Sequence, residues 1–251
     1  MGKFDGYLIC TDLDGTFTNG HDICGENAEY VKYFQENGGL FTVSTGRLPN
    51  HIEAFSDFAP NCPVVTHNGA AVYDMQEKMF LYKSIITEDA SEVLDCAFKS
   101  DCIRKVWINT ALNGYDIKGA NDIKKDDPPF KIVICAEPAE EALKLKNELA
   151  EKFGDKFCIF LAWRTGIEIL ARDTNKGTAV ARLRSILGDK VKKVICVGDS
   201  ESDTFMFDYA DIGIAVENAD EYAKKSADRI TVNFTKGFVK YVVEDIEKGN
   251  L

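Results

Sequence analysis

Two carboxylates lie two residues apart directly after the first apolar run of the chain. Asp12 and Asp14 follow Tyr7–Thr11, and Gly15 comes next, a residue that allows a tight turn with positive φ. On an extended segment, residues two apart project to the same side, so both carboxylates can face one site. Two close carboxylates repel each other unless a cation lies between them or one is protonated. The pair predicts a metal ligand beside a general acid, and the alternative is an aspartate-rich turn that caps a loop.

A second acidic group follows a later apolar run. Residues 198–203 have the sequence GDSESD, which places Asp199 and Asp203 after Lys193–Val197. Carboxylate oxygens at two neighbouring strand ends form the ligand set that a hard cation such as Mg²⁺ prefers. A capping turn or a Ca²⁺ loop is the alternative. An EF-hand is excluded because its ligand spacing and closing glutamate are missing.

Two further positions predict contacts to an anion. Thr45, Gly46 and Arg47 follow the second apolar run and begin a predicted helix, where a hydroxyl and free backbone N–H groups can bind an anion. An ordinary helix N-cap would have the same residues. Lys176 stands at the start of another predicted helix, against the preference of the helix dipole. This conflict favours a lysine that points at an anion, and a surface lysine is the alternative.

These residues are positioned by alternating strands and helices. Such alternation predicts an α/β fold with a doubly wound parallel sheet, whose ligand site lies beyond the carboxyl ends of the strands. The predicted strands are Tyr7–Thr11, Leu40–Ser44, Val64–Thr66, Lys193–Val197 and Ile212–Val216. The predicted helices are Glu26–Glu36, Pro49–Phe58, Lys176–Leu187, Ser202–Tyr209, Ala219–Lys225 and Lys236–Lys248.

The middle of the chain has a different pattern, a helix and two strands that occur twice. We predict a catalytic core formed by residues 1–83 and 172–251, with an α+β cap inserted as residues 84–171. Residues 113–129, which contain Asn-Gly and Pro-Pro, are predicted to be an exposed loop. The predicted cap elements are helices Glu88–Lys99 and Ala139–Phe153 and strands Lys105–Thr110, Phe130–Ala136, Phe157–Trp163 and Ile167–Leu170.

Together these segments resemble the four motifs of the haloacid dehalogenase-like phosphatase superfamily. The resemblance rests on Asp12 to Thr16, on Thr45, on Lys176 and on Asp199 with Asp203, in that order. The cap lies between the second and third motifs, as in the C2 cap class, and residues 68–70 (NGA) are similar to the Cof-type branch. One departure is that Ser200 and Ser202 replace the usual glycine and asparagine of the fourth motif.

The resemblance implies a mechanism and a set of ligands. Asp12 would attack phosphorus and form an aspartyl-phosphate, while Asp14 would act as general acid and then as general base. Mg²⁺ would be held by Asp12, the backbone carbonyl of Asp14 and Asp199, with Asp203 orienting a metal-bound water. Phosphate would be bound by Thr45, Gly46 and Lys176. Further substrate-contact candidates are Arg47, which could instead pair with an acid, Asn68, Ser202 and the cap residues Trp107, Asn109, Tyr115 and Arg164.

Composition limits the partners of this chain. It has 251 residues and a formal net charge of −11, so nucleic-acid binding would need a local basic stripe, and the basic clusters are short. The apolar runs are strand-sized and no apolar signal segment begins the sequence, so we expect no membrane span. Eight cysteines without a CxxC pair predict free thiols in a reducing cytoplasm. The sequence leaves the oligomeric state open, and a monomer is compatible with it.

The expected function is a Mg²⁺-dependent phosphatase that acts on a small phosphorylated metabolite, for example a sugar phosphate. A phosphomannomutase-like transfer of the phosphoryl group within a sugar would use the same site. A non-enzymatic binding module is disfavoured because it has no need of Asp12, Asp14, Lys176 and Asp199 together. A hydrolytic dehalogenase is disfavoured because Asp14 and the metal site serve phosphoryl chemistry.

Overall fold

The computed structural model describes residues 2–53 and 60–251. Its strands are, in chain order, β1 (Gly6–Thr11), β2 (Leu40–Val43), β3 (Val64–Thr66), β4 (Ala71–Asp74), β5 (Met79–Lys83), β6 (Ile103–Asn109), β7 (Gly114–Asp116), β8 (Lys131–Ala136), β9 (Phe157–Trp163), β10 (Gly166–Ala171), β11 (Val191–Gly198), β12 (Ile212–Ala215) and β13 (Arg229–Ile230).

The helices follow the predicted segments closely. Helices α4 and α5 have the predicted bounds, whereas α2 is described only to residue 52, and residues 54–59 of the predicted Pro49–Phe58 helix lie outside the described residues. Within the described part of the chain, no helix is long and apolar enough to cross a membrane. The helices are α1 (Asn27–Glu36), α2 (Pro49–Ile52), α3 (Ser91–Ala97), α4 (Ala139–Phe153), α5 (Lys176–Leu187), α6 (Glu201–Phe207), α7 (Glu221–Ser226) and α8 (Val239–Glu247).

A parallel sheet in the order β13-β12-β11-β1-β2 forms the centre of the molecule. All four strand pairings in this sheet are parallel. Its apolar side chains pack with those of α1, α5 and α8 in one core, in which Leu8, Leu183 and Val243 are fully buried. The predicted α/β fold with a parallel sheet is therefore confirmed. Because β1 and β11 are adjacent and parallel, Asp12 and Asp199 leave the sheet at the same edge.

Strand β3 has the predicted bounds, but its ladder is antiparallel. It pairs with β4, which in turn pairs with β5, and among the described residues it joins the parallel strands through one parallel bridge, from Val65 to Ser44. The hairpin β4–β5 was not predicted. Its second strand begins with the apolar run Met79–Tyr82, whose side chains alternate between exposed and half-buried, and this run was not recognised as a strand.

A second, antiparallel sheet has the order β7-β6-β8-β10-β9. One of its faces carries Ile108, Ile134 and Ile169, which pack against α3 and α4 in a separate apolar core. Alternation along the strands places Trp107 and Glu168 on the opposite face. Strand β7 pairs with β6, so the predicted exposed loop over residues 113–129 begins with a short strand.

Helices α5 and α6 approach each other unusually closely. A side chain at Gly177 would collide with the carbonyl of Phe205, so only glycine allows this contact. Lys176 precedes that glycine on α5, and Asp203 precedes Phe205 on α6. The contact therefore sets the distance between the lysine and the carboxylate.

We predict that Gly177→Ala lowers the free energy of unfolding by about 1–3 kcal/mol because the added methyl group forces the two helices apart. Chemical denaturation measures this change. Gly119→Ala is the matched control, since no atom lies within 4 Å of its Cβ position. Equal losses of stability in both variants would contradict the role given to this helix contact.

Candidate active site

A cavity of about 1050 Å³ lies between the edge of the parallel sheet and the polar face of the antiparallel sheet. Nine of the ten predicted site residues line it. The tenth, Asp203, is fully buried and lies against Lys176. The nine that line the cavity are Asp12, Asp14, Thr45, Gly46, Arg47, Asn68, Lys176, Asp199 and Ser202.

Lys176 bridges two buried carboxylates at the floor of the cavity. Its Nζ lies 2.6 Å from Oδ1 of Asp12 and 2.6 Å from Oδ1 of Asp203. The lysine side chain is only 2% exposed. Burial alone would lower the pKa of Lys176, but the charges of Asp12 and Asp203 outweigh it and raise that pKa above its ordinary value. Lys176 is therefore a permanent positive charge that faces the carboxylates.

The position of Lys176 depends on how α5 begins. Asn175 caps the helix, because its side-chain oxygen accepts a hydrogen bond from the backbone N–H of Thr178 at 2.9 Å. The hydroxyl of Thr178 accepts one in return from the N–H of Asn175 at 3.2 Å. These two bonds fix the first turn, so the lysine points out of the helix end toward the sheet.

Three carboxylates form a cluster that suits a cation. Asp12, Asp199 and Asp203 can each offer one oxygen, and these oxygens all lie within 4.8 Å of one another. Burial raises the pKa of Asp12 although Lys176 opposes this. Burial and the charge of Asp203 raise the pKa of Asp199 to about 7. An all-oxygen donor set of carboxylates fits a hard divalent cation such as Mg²⁺.

Ser200 and Ser202, which replace the usual residues of the fourth motif, form hydrogen bonds next to Asp203. Ser200 has an extended backbone with φ −129°, so this position has no need of glycine. Its backbone N–H and its hydroxyl both donate to Oδ2 of Asp203 at 3.0 Å, as does the N–H of Asp199. Ser202 is buried and shares a hydrogen bond with the Ser200 hydroxyl at 3.0 Å. Asp203 is thus held from both sides, by these donors and by Lys176.

Asp14 has a different environment from Asp12. Gly15 has φ +88°, as the predicted tight turn requires, and the Asp14 side chain is 44% exposed. Arg47 donates to both of its carboxylate oxygens, at 2.7 and 2.6 Å, and also to the carbonyl of Gly20. Of the two alternatives for Arg47, the structure therefore has the pairing with an acid. The Asp12 side chain is buried and that of Asp14 is partly exposed to solvent, so the two carboxylates can have different chemical roles.

Thr45 lies in the loop after β2 and is hydrogen-bonded to Arg47 in the same loop and to Asn68 in the loop after β3. Its hydroxyl accepts a hydrogen bond from the N–H of Arg47 at 3.2 Å, and its carbonyl accepts one from the N–H of Asn68 at 2.9 Å. Asn68 has a left-handed backbone, with φ +54°. Its side chain donates to Oε2 of Glu168 at 2.7 Å, and Lys131 donates to the carbonyl of Gly46 at 2.9 Å.

Lys131 and Glu168, two charged residues of the antiparallel sheet that line the cavity, were not predicted. The signal for Glu168 was available, because a charged residue between Ile167 and Ile169 must face away from the apolar core that they enter. The orientation of Lys131 was harder to predict, because it is the first residue of strand β8 and has an apolar strand neighbour on one side only. The four cap residues singled out earlier all line the cavity too, and Trp107 stacks against Trp163 with ring centroids 6.2 Å apart.

Known proteins that are similar to this chain indicate its family. Residues 9–242 match the family model of haloacid dehalogenase-like hydrolases. The chain belongs to this family. It is 27% identical, over 94% of both chains, to the 5-amino-6-(5-phospho-D-ribitylamino)uracil phosphatase YcsE of Bacillus subtilis. It is 24% identical to the phosphatase YwpJ of the same species, over 95% of this chain and 99% of that one. The fold is also that of a haloacid dehalogenase-like hydrolase from B. subtilis, with a TM-score of 0.80, 20% identity and coverage of 94% and 98% of the two chains.

In this haloacid dehalogenase-like hydrolase, the buried side chain of His67 joins the loop after β3 to the end of β6. Its Nε2 lies 3.0 Å from the carbonyl of Thr110 and its Nδ1 lies 2.9 Å from the hydroxyl of Thr66, an arrangement that suits a neutral ring. The ring also packs on Phe130, with centroids 4.8 Å apart. Burial, with the charge of Lys131 as a second cause, lowers the pKa of His67 to about 3.

We predict that His67 makes the protein less stable as the pH falls below about 6.5. The unfolded chain binds a proton at His67 below that pH, whereas the folded chain does so only near pH 3. The stability is therefore complete above pH 6.5 and declines by up to about 1.4 kcal/mol per pH unit as the pH falls from 6.5 toward 3. His67→Gln should lose this part of the pH dependence in urea denaturation at pH 6.5 and pH 5. His21→Gln, at an exposed position, should keep it, and identical slopes for all three proteins would contradict the assignment.

Proposed function

We propose that the protein is a Mg²⁺-dependent phosphatase that hydrolyses a small phosphorylated metabolite through an aspartyl-phosphate on Asp12. The observation that carries the proposal is the position of the Asp12 carboxylate, buried beside Lys176 at 2.6 Å and next to Asp199 and Asp203. An anionic nucleophile can approach an anionic phosphate only where positive charge offsets the repulsion. The curated relatives named above are phosphatases, which supports the same reaction class.

The first step forms the covalent intermediate. One Asp12 oxygen attacks phosphorus, and the bond from phosphorus to the leaving oxygen breaks with its electron pair on that oxygen. Asp14 would supply the proton that the leaving oxygen needs, because its half-exposed carboxyl group lines the same cavity as Asp12. Lys176 and the hydroxyl of Thr45 bind phosphate oxygens, together with the N–H of Gly46.

The second step returns the enzyme to its starting state. A water molecule attacks the phosphorus of the aspartyl-phosphate, and Asp14, now deprotonated, takes the proton from that water. Asp12 leaves as a carboxylate. Arg47 holds the Asp14 side chain in the loop through two hydrogen bonds, which keeps the acid–base group in one place between the two steps.

Asp12, Asp199 and the backbone carbonyl of Asp14 would hold Mg²⁺, and Asp203 would support the site from beside Asp12 and Asp199. When bound, it supplies positive charge that offsets the charge on phosphate and on the carboxylates. Asp203 also has a second task, because it holds Lys176 toward Asp12 through the 2.6 Å ion pair.

The antiparallel sheet lines the side of the cavity opposite the catalytic residues. We propose that residues 84–171 form a cap that selects the substrate and that residues 1–83 and 172–251 supply the chemistry. The leaving group would contact Trp107, Arg164 and Tyr115, which line the part of the cavity formed by the cap sheet. A volume of about 1050 Å³ suits a metabolite and not a polymer. A phosphorylated sugar or sugar alcohol, as in the substrate of YcsE, is the class we propose, with the cytoplasm as the site of action.

Asp12→Asn should reduce phosphate release by at least about 10³-fold, because an amide is a poor nucleophile. The measurement is inorganic phosphate released from a panel of phosphorylated metabolites and from p-nitrophenyl phosphate. Asp95→Asn, at an exposed position of α3, is the matched control and should retain wild-type rates. A folded Asp12→Asn protein with more than a few per cent of wild-type activity would refute the nucleophile assignment. Isomerisation of a sugar phosphate without net phosphate release would show a mutase instead.

Removal of divalent cations should abolish phosphate release, and Mg²⁺ should restore it. Ca²⁺ should fail to do so, because it takes more oxygen ligands at longer distances and would disturb the position of Asp12. The melting temperature should also rise with the Mg²⁺ concentration if the ion binds only the folded state. Full activity in excess chelator would contradict a metal-dependent reaction.

A further inference from the structure

A buried ion pair of the antiparallel sheet lies at the boundary between that sheet and the active-site loops. Nζ of Lys131 is 2.6 Å from Oε1 of Glu168, and the two side chains are 4% and 2% exposed. The residues lie on the neighbouring strands β8 and β10. Removing two charges from water costs several kcal/mol per ion, and such a pair often contributes no net stability compared with apolar residues. Stability alone therefore gives little reason for this pair.

Each member of the pair also makes one hydrogen bond across the boundary. Lys131 donates to the carbonyl of Gly46 at 2.9 Å, and Glu168 accepts from the side chain of Asn68 at 2.7 Å. The ion pair thus reaches two separate core loops, one after β2 and one after β3. A pair that served only the antiparallel sheet would not need partners in those loops.

The two core partners enclose Thr45. The peptide that joins Gly46 to Arg47 has its carbonyl bound by Lys131 and its N–H bound to the hydroxyl of Thr45 at 3.2 Å. On the other side, the N–H of Asn68 donates to the carbonyl of Thr45 at 2.9 Å. Because a peptide is planar, fixing its carbonyl also fixes the direction of its N–H. The orientation of the Thr45 hydroxyl is therefore linked to the ion pair.

We propose that Lys131 and Glu168 are positioning residues that preorganise the phosphate-binding loop. They touch neither phosphorus nor the nucleophile, and they act through the Gly46 carbonyl and the Asn68 side chain. This inference rests on one part of the proposed function, the binding of phosphate by Thr45 and Gly46. Groups that hold a binding residue in place commonly change affinity by about 10- to 100-fold when they are lost, as the outer partners of metal ligands do.

The test measures binding of inorganic phosphate, in the presence of Mg²⁺, by isothermal titration calorimetry. Lys131→Met alone would leave Glu168 buried and unpaired, and this variant could fail to fold. The main variant is therefore Lys131→Met/Glu168→Leu, which removes both charges and preserves the side-chain volume. Glu168→Gln is the second variant, since it retains the shape and one acceptor oxygen. The matched control is Lys144→Met/Glu141→Leu, which removes an exposed 2.6 Å ion pair from α4.

We expect the main variant to bind phosphate at least about tenfold more weakly than wild type, with a melting temperature within a few degrees. Glu168→Gln should show a smaller loss, and the control should bind as wild type does. Unchanged phosphate affinity in a folded main variant, or in Glu168→Gln if the main variant does not fold, would overturn the proposal. A wild-type protein that binds no phosphate would overturn it too. A wild-type protein that binds phosphate but hydrolyses no phosphate ester would overturn the proposed function and leave the positioning role intact.

Discussion

The position of Lys176 between two buried carboxylates is the interaction on which the rest of the site depends. Asp12 and Asp203 each lie 2.6 Å from its ammonium group, and Asp199 is close to both. With every group ionised, the cluster has a net charge of −2, which a divalent cation would balance. Burial, with the charge of Asp203 as the second cause, raises the pKa of Asp199 to about 7.

Several features of the fold serve this one arrangement. Strands β1 and β11 are adjacent, so they deliver Asp12 and Asp199 to the same edge of the sheet. Helices α5 and α6 touch at Gly177, so they bring Lys176 and Asp203 within hydrogen-bond distance. The antiparallel sheet then closes the cavity from the other side, and its polar face carries the Lys131–Glu168 pair to the loop that contains Thr45.

Local signals in the sequence predicted those parts of the structure that local interactions determine. Helix α5 begins at Lys176 as predicted because Asn175 and Thr178 cap it, and strand β9 has the predicted bounds because it is a continuous apolar run. Strand β7 was missed because it is short and has few apolar residues, whereas the β4–β5 hairpin was missed although Ala71–Tyr73 and Met79–Tyr82 are apolar runs. The identity of ion-pair partners was also beyond local reasoning: Lys131 and Glu168 are 37 residues apart in the chain, and only the order of the strands brings them together.

If Lys176 offsets the charge of the buried carboxylates, its removal must destabilise the protein, and the stability of Lys176→Met without divalent cations measures this effect. We predict that the free energy of unfolding of this variant at neutral pH is about 3–5 kcal/mol lower than that of wild type, because buried charges are left without their partner. Added Mg²⁺ should recover part of that loss by binding the same carboxylates. A Lys176→Met protein that is as stable as wild type in excess chelator would show that the carboxylates do not depend on Lys176.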